Sequence, residues 1–211
     1  MGLLNWLFGK DISPKKELKK KGFDFTKEDF LKAITKDDNH SVILFLKAGK
    51  NPNIRGYRGA TALMYATGEG RISISQILLD HGASINLEDE DCMTALSYAA
   101  ANGHTELVEL LVKKGAHINY KAGDGMTALM WAAVKGHGET VKILLKNSAD
   151  IHIKKRRADV DGTALGMAAI ANHPFVVDIL LHHGARVNKY TLEEVEQEGK
   201  TEIASKLRRA L

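Results

Sequence analysis

"GMTALMWAAVKGH", residues 125–137, states a pattern that the chain uses several times over. "CMTALSYAAANGH" stands at 92–104, "GATALMYATGEGR" at 59–71 and "DGTALGMAAIANH" at 161–173. Thr61, Thr94 and Thr127 lie 33 residues apart, and Thr163 follows Thr127 by 36. A second marker keeps the same beat: "GKNPN" from Gly49, "GASIN" from Gly82, "GAHIN" from Gly115, "SADIH" from Ser148 and "GARVN" from Gly184. Self-similarity at this period is the signature of a stacked repeat.

Each copy reads physically as two helices. In the copy from Thr127, the threonine oxygen takes an orphan backbone N–H and starts a first helix. Leu129, Ala132, Ala133 and Gly136 then fall on one face at i, i+3, i+4 and i+7, and the alanines let neighbouring helices approach closely. "KGHGE" breaks the chain, and a second helix follows with Val141, Leu144 and Leu145 as its apolar stripe. Its end is where glycine best supplies a left-handed cap, and Ser148 replaces glycine there at a cost of ~1 kcal/mol. A helix pair of this size cannot bury its apolar faces alone, whereas a stack of copies can. The expected fold is mainly α, an α-solenoid of helix-turn-helix units with β-hairpin finger loops.

These units resemble ankyrin repeats, whose pattern runs from a finger through "TPLH-x-AA-x-x-GH" and a second helix to "GAD-V-N". The resemblance covers about residues 26–211. It departs from the family pattern at the proline, which becomes Ala62, Ala95, Ala128 and Ala164. It departs again at the histidine, which becomes Met64, Ser97, Met130 and Gly166, so the loop-tying hydrogen bond that the resemblance implies is not expected in its usual form. Four well-marked repeats stand between two degenerate caps, about 26–55 and 189–211. Thr26 with Asp29, and Thr191 with Glu194, are read as capping boxes. Only Lys189 and Tyr190 separate Asn188 from Thr191, so the last finger is deleted.

The 211 residues, 44% hydrophobic, suffice for a sizeable core in one or two domains. Residues 1–22 hold six lysines against Asp11 and Glu17, which accounts for the whole net charge of +4. The rest is balanced, which argues against a general nucleic-acid binder, because phosphate contacts supply most of that affinity. The lone Cys92 excludes an internal disulfide framework and fits a reducing compartment, so a cytoplasmic location is expected, membrane-associated or as a secreted effector.

No catalytic motif is found: neither a P-loop, nor G-x-S-x-G, nor H-E-x-x-H. His104, His137 and His173 sit at the repeat's G-H position and are read as structural. A zinc site would need three or four converging ligands, and none is expected. The chain is therefore read as non-enzymatic, without cofactor or metal, and as a monomer that binds another protein.

By resemblance, partners meet the finger tips and the exposed side of the first helices. The first finger offers Arg55, Tyr57 and Arg58, and the second Glu88, Glu90, Asp91 and Met93. The third offers Lys121, Asp124 and Met126, and the fourth, lengthened by three residues, Lys154, Lys155, Arg156 and Arg157. The variable helix positions are Glu69, Asn102 and Lys135. One further position keeps changing: Tyr65, Tyr98, Trp131 and Met167. Trp131 lies about 200° round the helix from Leu129, off the buried stripe. Two readings stand, packing between repeats or a ladder partly open to a partner.

Residues 1–25 precede the repeats as an apolar and basic arm. "MGLLNWLFGK" lacks the charge and cleavage site of a secretory signal, and Trp6 stands where a myristoylation motif wants Ser or Thr. Leu3, Leu4, Trp6, Leu7 and Phe8 beside the lysine cluster are read either as peripheral membrane contacts or as packing on the first repeat. Ser13 and Pro14 start a helix and Gly22 stops it.

Overall fold

The computed structural model of the protein describes residues 13–155 and 162–211. Those residues hold thirteen α-helices in two compact units, 1–83 and 84–211. The first unit contains α1 (Pro14–Lys20), α2 (Lys27–Thr35), α3 (Asn39–Lys47), α4 (Ala62–Gly68) and α5 (Ile72–Asp80). The second contains α6 (Ala95–Ala101), α7 (Thr105–Lys113), α8 (Ala128–Val134) and α9 (Gly138–Lys146), then α10 (Ala164–Ile170), α11 (Pro174–His182), α12 (Lys189–Gln197) and α13 (Thr201–Arg209).

In the second unit the helices pair as hairpins and stack in two rows. The first helices α6, α8, α10 and α12 pack in series, and α7, α9, α11 and α13 form the row behind them. The first unit follows the same plan, with α2 on α4 and α3 on α5. Alanine is what lets the front row close up: Ala99, Ala100, Ala132, Ala133, Ala168 and Ala169 are all 0% exposed. The rear helices supply the larger apolar volume, with Leu107, Leu111, Val141, Leu144, Val177 and Leu180 each 1% exposed or less. Each such side chain stabilises by roughly 1.5–3 kcal/mol relative to exposure.

The helix starts are threonine caps, as the sequence predicts. The hydroxyls of Thr61, Thr94, Thr127 and Thr163 accept from the backbone N–H three residues on at 3.2–3.3 Å. Each contributes about 1 kcal/mol. The turns between helices are left-handed at Asp37, Gly70, Gly103, Gly136 and Asn172, one per repeat. The second helices end in left-handed residues at Gly49, Gly82, Gly115, Ser148 and Gly184. Ser148 does sit at φ 66°, so a side chain occupies a conformation that favours glycine.

Adjacent repeats are tied by side chains. His137 Nε2 lies 3.0 Å from the Ala101 carbonyl and His173 Nε2 3.0 Å from that of Val134. A Cβ on Gly103 would come within 2.6 Å of the His137 ring, so the glycine is also the seat of the next repeat's histidine. The asparagines that end the second marker also tie neighbouring repeats. Asn53 and Asn86 donate to the Gly82 and Gly115 carbonyls at 3.3 Å, and Asn119 Oδ1 accepts from the Asp150 N–H at 2.8 Å. Met64 Sδ, at the lost histidine position, accepts from the Thr61 N–H at 3.2 Å.

Two expectations need correcting, and the β-hairpin fingers are not shown as strands: among the described residues the fingers have single antiparallel bridges, Arg55 with Thr61 and Glu88 with Thr94. Backbone bonds cross each finger: Gly56 N–H to the Ala60 carbonyl at 2.8 Å, Asp89 N–H to that of Met93 at 3.0 Å and Ala122 N–H to that of Met126 at 2.9 Å. At the C-terminal cap, Thr191 lies inside α12, and Asn188 caps that helix by accepting from the Tyr190 N–H at 3.1 Å. The box at Thr26 is half made: Thr26 accepts from the Asp29 N–H, but the Asp29 carboxylate takes the Asp24 N–H at 2.8 Å.

Ahead of α2, helix α1 packs on α3 with Leu18 1% exposed. Phe23, Phe25 and Phe30 surround Phe45 with ring centroids 5.3–5.9 Å apart. Lys15 and Lys50 cover the Phe25 ring at 4.5 and 4.2 Å. Burial, with Lys15 adding to it against Glu28, depresses the Lys50 pKa. Leu3, Leu4, Trp6, Leu7 and Phe8 lie outside the described residues. No helix among the described residues is long and apolar enough to cross a membrane.

Candidate interaction surface

The changing aromatic is a strut between a helix and its own finger. In the first finger the Tyr57 N–H donates to the Tyr65 hydroxyl oxygen at 2.9 Å, and Gly56 makes room, since a Cβ there would lie 2.6 Å from that oxygen. In the second finger the Tyr98 hydroxyl donates to Asp89 Oδ2 at 2.7 Å. Asp89 is 6% exposed, and its Oδ1 accepts the Asp91 and Met93 N–H groups at 2.9 and 2.8 Å. This buried carboxylate has its oxygens filled by donors, which is what makes its burial tolerable. Trp131 lacks such a bond: its indole N–H is buried with no hydrogen-bond partner among the described residues. Tyr65, Tyr98, Trp131 and Met167 are all half-buried.

Tyr98 and Trp131 meet at a concavity of about 590 Å³ between the second and third fingers of the second unit. Cys92 and Met93 form one side of it, and Glu90, Asp91 and Asp124 bring three carboxylates to its lining. Glu90, Asp91 and Asp124 are exposed and Met93 half-buried. Asp124 also closes its own turn by accepting from the Met126 N–H at 3.0 Å, and it pairs with Lys155 at 3.2 Å. That ion pair links the third finger to the fourth.

The remaining predicted residues divide by exposure. Arg55, Arg58, Glu88, Asn102, Lys121, Lys135 and Lys154 are exposed, as is Glu69. Tyr57 is 79% exposed, an aromatic ring that folding does not bury. Glu88 accepts from the Tyr120 hydroxyl and so faces the base of the third finger. Met126 is the exception, 2% exposed, because the turn closed by Asp124 points it inward; its side chain forms no part of the surface. Arg156 and Arg157 lie outside the described residues.

Sequence reasoning missed Asp89, which the run "EDED" hides among exposed acids. The one signal was its spacing, nine residues before Tyr98. A second concavity of about 610 Å³ opens at the deleted last finger, where Lys154, Arg186, Lys189 and Tyr190 line it. Among the described residues no group of three His, Cys, Asp or Glu side chains is placed to hold a metal ion.

Helix hairpins with threonine-capped starts and left-handed turns, joined by finger loops, define a repeat protein. A family model described as ankyrin repeats (3 copies) matches residues 30–122 and 118–191. The chain belongs to the ankyrin-repeat family. It is also 47% identical over 47 residues to an ankyrin repeat-containing protein of Treponema pallidum (strain Nichols). That stretch is 22% of this chain and spans 16% of the relative's length. Ankyrin repeats generally mediate protein–protein interaction.

Proposed function

We propose that this chain is a non-enzymatic interaction scaffold that binds another protein through its finger tips and the exposed side of its first helices. The single observation that carries this reading is the concavity beneath Tyr98 and Trp131, rimmed by exposed carboxylates. The Tyr98 hydroxyl braces its own finger, and its ring and that of Trp131 stay half-buried beside exposed acids. Aromatic anchors in a partly desolvated pocket are where binding energy concentrates, and charged rims set specificity. Tyr57 extends the same chemistry to the first finger. The protein acts as a monomer in a reducing compartment on this reading.

The test is capture from a native extract by the intact chain and by a variant with Tyr57, Glu90, Asp91 and Lys154 all alanine. A protein held by the first and lost by the second, and titrating with the same difference once purified, supports the reading. Identical captures would overturn it. A second reading, a membrane-surface adaptor, draws on the exposed lysines 15, 16, 19 and 20 of α1 beside the apolar arm. Sedimentation with anionic vesicles, lost on deletion of residues 1–12, would favour it.

A further inference from the structure

Resting on that interaction reading, we infer that the concavity beside the fourth finger takes an acidic segment of the partner protein. It has a volume of about 610 Å³, within the range of ligand pockets. Lys154 lines it from the fourth finger, and Arg186 and Lys189 line it from the stretch that joins α11 to α12. Among the described residues no aspartate or glutamate lines it, and no carboxylate pairs with any of these three cations.

The repeat itself explains why the groups are open at this place. Elsewhere in the second unit the asparagine that closes one marker ties the next. Asn86 Oδ1 accepts from the His117 N–H and Asn119 Oδ1 from the Asp150 N–H, both at 2.8 Å. At the following step His152 stands in the asparagine's place and lines the concavity. The Arg186 N–H, equivalent to those of His117 and Asp150, has no acceptor among the described residues. The deleted last finger removes the other cover, since α12 starts at Lys189, directly after the marker. Lys155 is engaged on the third finger by Asp124 at 3.2 Å, whereas Lys154 faces the side where no finger follows. Asp150 does not line the concavity; its Oδ1 accepts from the His152 N–H at 2.9 Å.

Three cations and an open backbone donor call for an anion, and carboxylates take strong charge-assisted bonds from such groups. Tyr190, 70% exposed, and the half-buried Ile151 and Val187 add apolar surface that the neighbouring side chains of a peptide can cover. A nucleic acid or an anionic membrane would bring its charge to the whole second unit. That unit carries sixteen basic against seventeen acidic side chains and exposes Glu88, Glu90 and Asp91 on its second finger. An extended polyanion is repelled there, while a short acidic segment meets only the basic end.

The experiment is selection of a phage-displayed library of random linear peptides on the full chain. Recovered peptides are titrated against the intact protein, an Arg186→Gln, Lys189→Gln double variant and a His152→Asn variant, with thermal midpoints verifying the fold. Aspartate and glutamate should be enriched, with affinity about threefold to thirtyfold lower in the double variant. Amides in place of the peptide's acids should abolish binding. His152→Asn restores the residue that elsewhere holds the equivalent N–H, so it should weaken the peptide without lowering the thermal midpoint. In the amide NMR spectrum the Arg186 signal should move on peptide addition, and that of His117, already held by Asn86, should not. A short oligonucleotide that binds more tightly than the peptides, with the same dependence on Arg186 and Lys189, would assign the site to nucleic acid and overturn the inference. Peptides indifferent to the double variant but lost on alanine at Tyr57, Glu90 and Asp91 would overturn it and leave the interaction reading standing. A selection that returns no peptide sensitive to either set would overturn both.

Discussion

Tyr65 and Tyr98 occupy equivalent positions, yet their hydroxyls work in opposite senses. Tyr65 accepts from a backbone N–H in its finger, whereas Tyr98 donates to the buried Asp89. Removing the Tyr98 hydroxyl strips a donor from a carboxylate that water cannot reach, and such losses cost about 1–3 kcal/mol. Tyr98→Phe should therefore lower stability in urea denaturation by that amount, while Tyr65→Phe, beside an exposed finger, costs about 1 kcal/mol or less. Equal effects would contradict the strut. This difference was not legible in the sequence, because nothing separates Asp89 from its acidic neighbours until the turn folds. Ser148 was legible: the repeat puts glycine at that place in Gly49, Gly82 and Gly115. Ser148→Gly should raise stability by about 1 kcal/mol by relieving the left-handed conformation. Cys92, at φ 56° where Gly59 and Gly125 stand in neighbouring fingers, should gain similarly on Cys92→Gly. An unchanged urea midpoint in both would show that φ is not the cost.

At the scale of the element, helices and caps were readable because they depend on residues three or four apart. The fingers were not, since a hairpin with a full ladder and a turn closed by one or two backbone bonds share the same short polar sequence. The start of α12 was misread for a related reason: Asn188 and Thr191 are both good caps, and packing chose the earlier one. Helix α3 carries the clearest pH signal. Burial pushes the Asp38 carboxyl upward, but bonds from the Ser41 hydroxyl and backbone and the Lys21 ammonium prevail and hold it at about 2. A folded pKa below the unfolded value gives stability that is present above the ordinary carboxylate range. It is lost as pH falls from the ordinary value of 3.8 through about 2. For a partly exposed group screening reduces the contribution to about 1 kcal/mol. Asp38→Asn keeps a capping side chain, so its stability deficit at neutral pH should vanish by pH ~2. A deficit that persists in acid would assign the effect to the cap rather than the charge.

Over the whole molecule, the charge is divided unevenly. Residues 1–83 carry fourteen basic and nine acidic side chains, and residues 84–211 sixteen and seventeen. The net positive charge thus belongs to the first unit, and the second offers the acidic, aromatic concavity. Partner binding through the exposed finger charges should weaken as salt rises from ~0.05 to ~0.5 M, because exposed pairs are screened over that range. The most direct test of the interaction surface is amide hydrogen exchange of the full chain with and without a purified partner. Protection is expected at residues 86–93 and 119–126 and along α6 and α8, with α7 and α9 unchanged. Protection confined to the rear helices, or to α1 and the residues before it, would contradict the account.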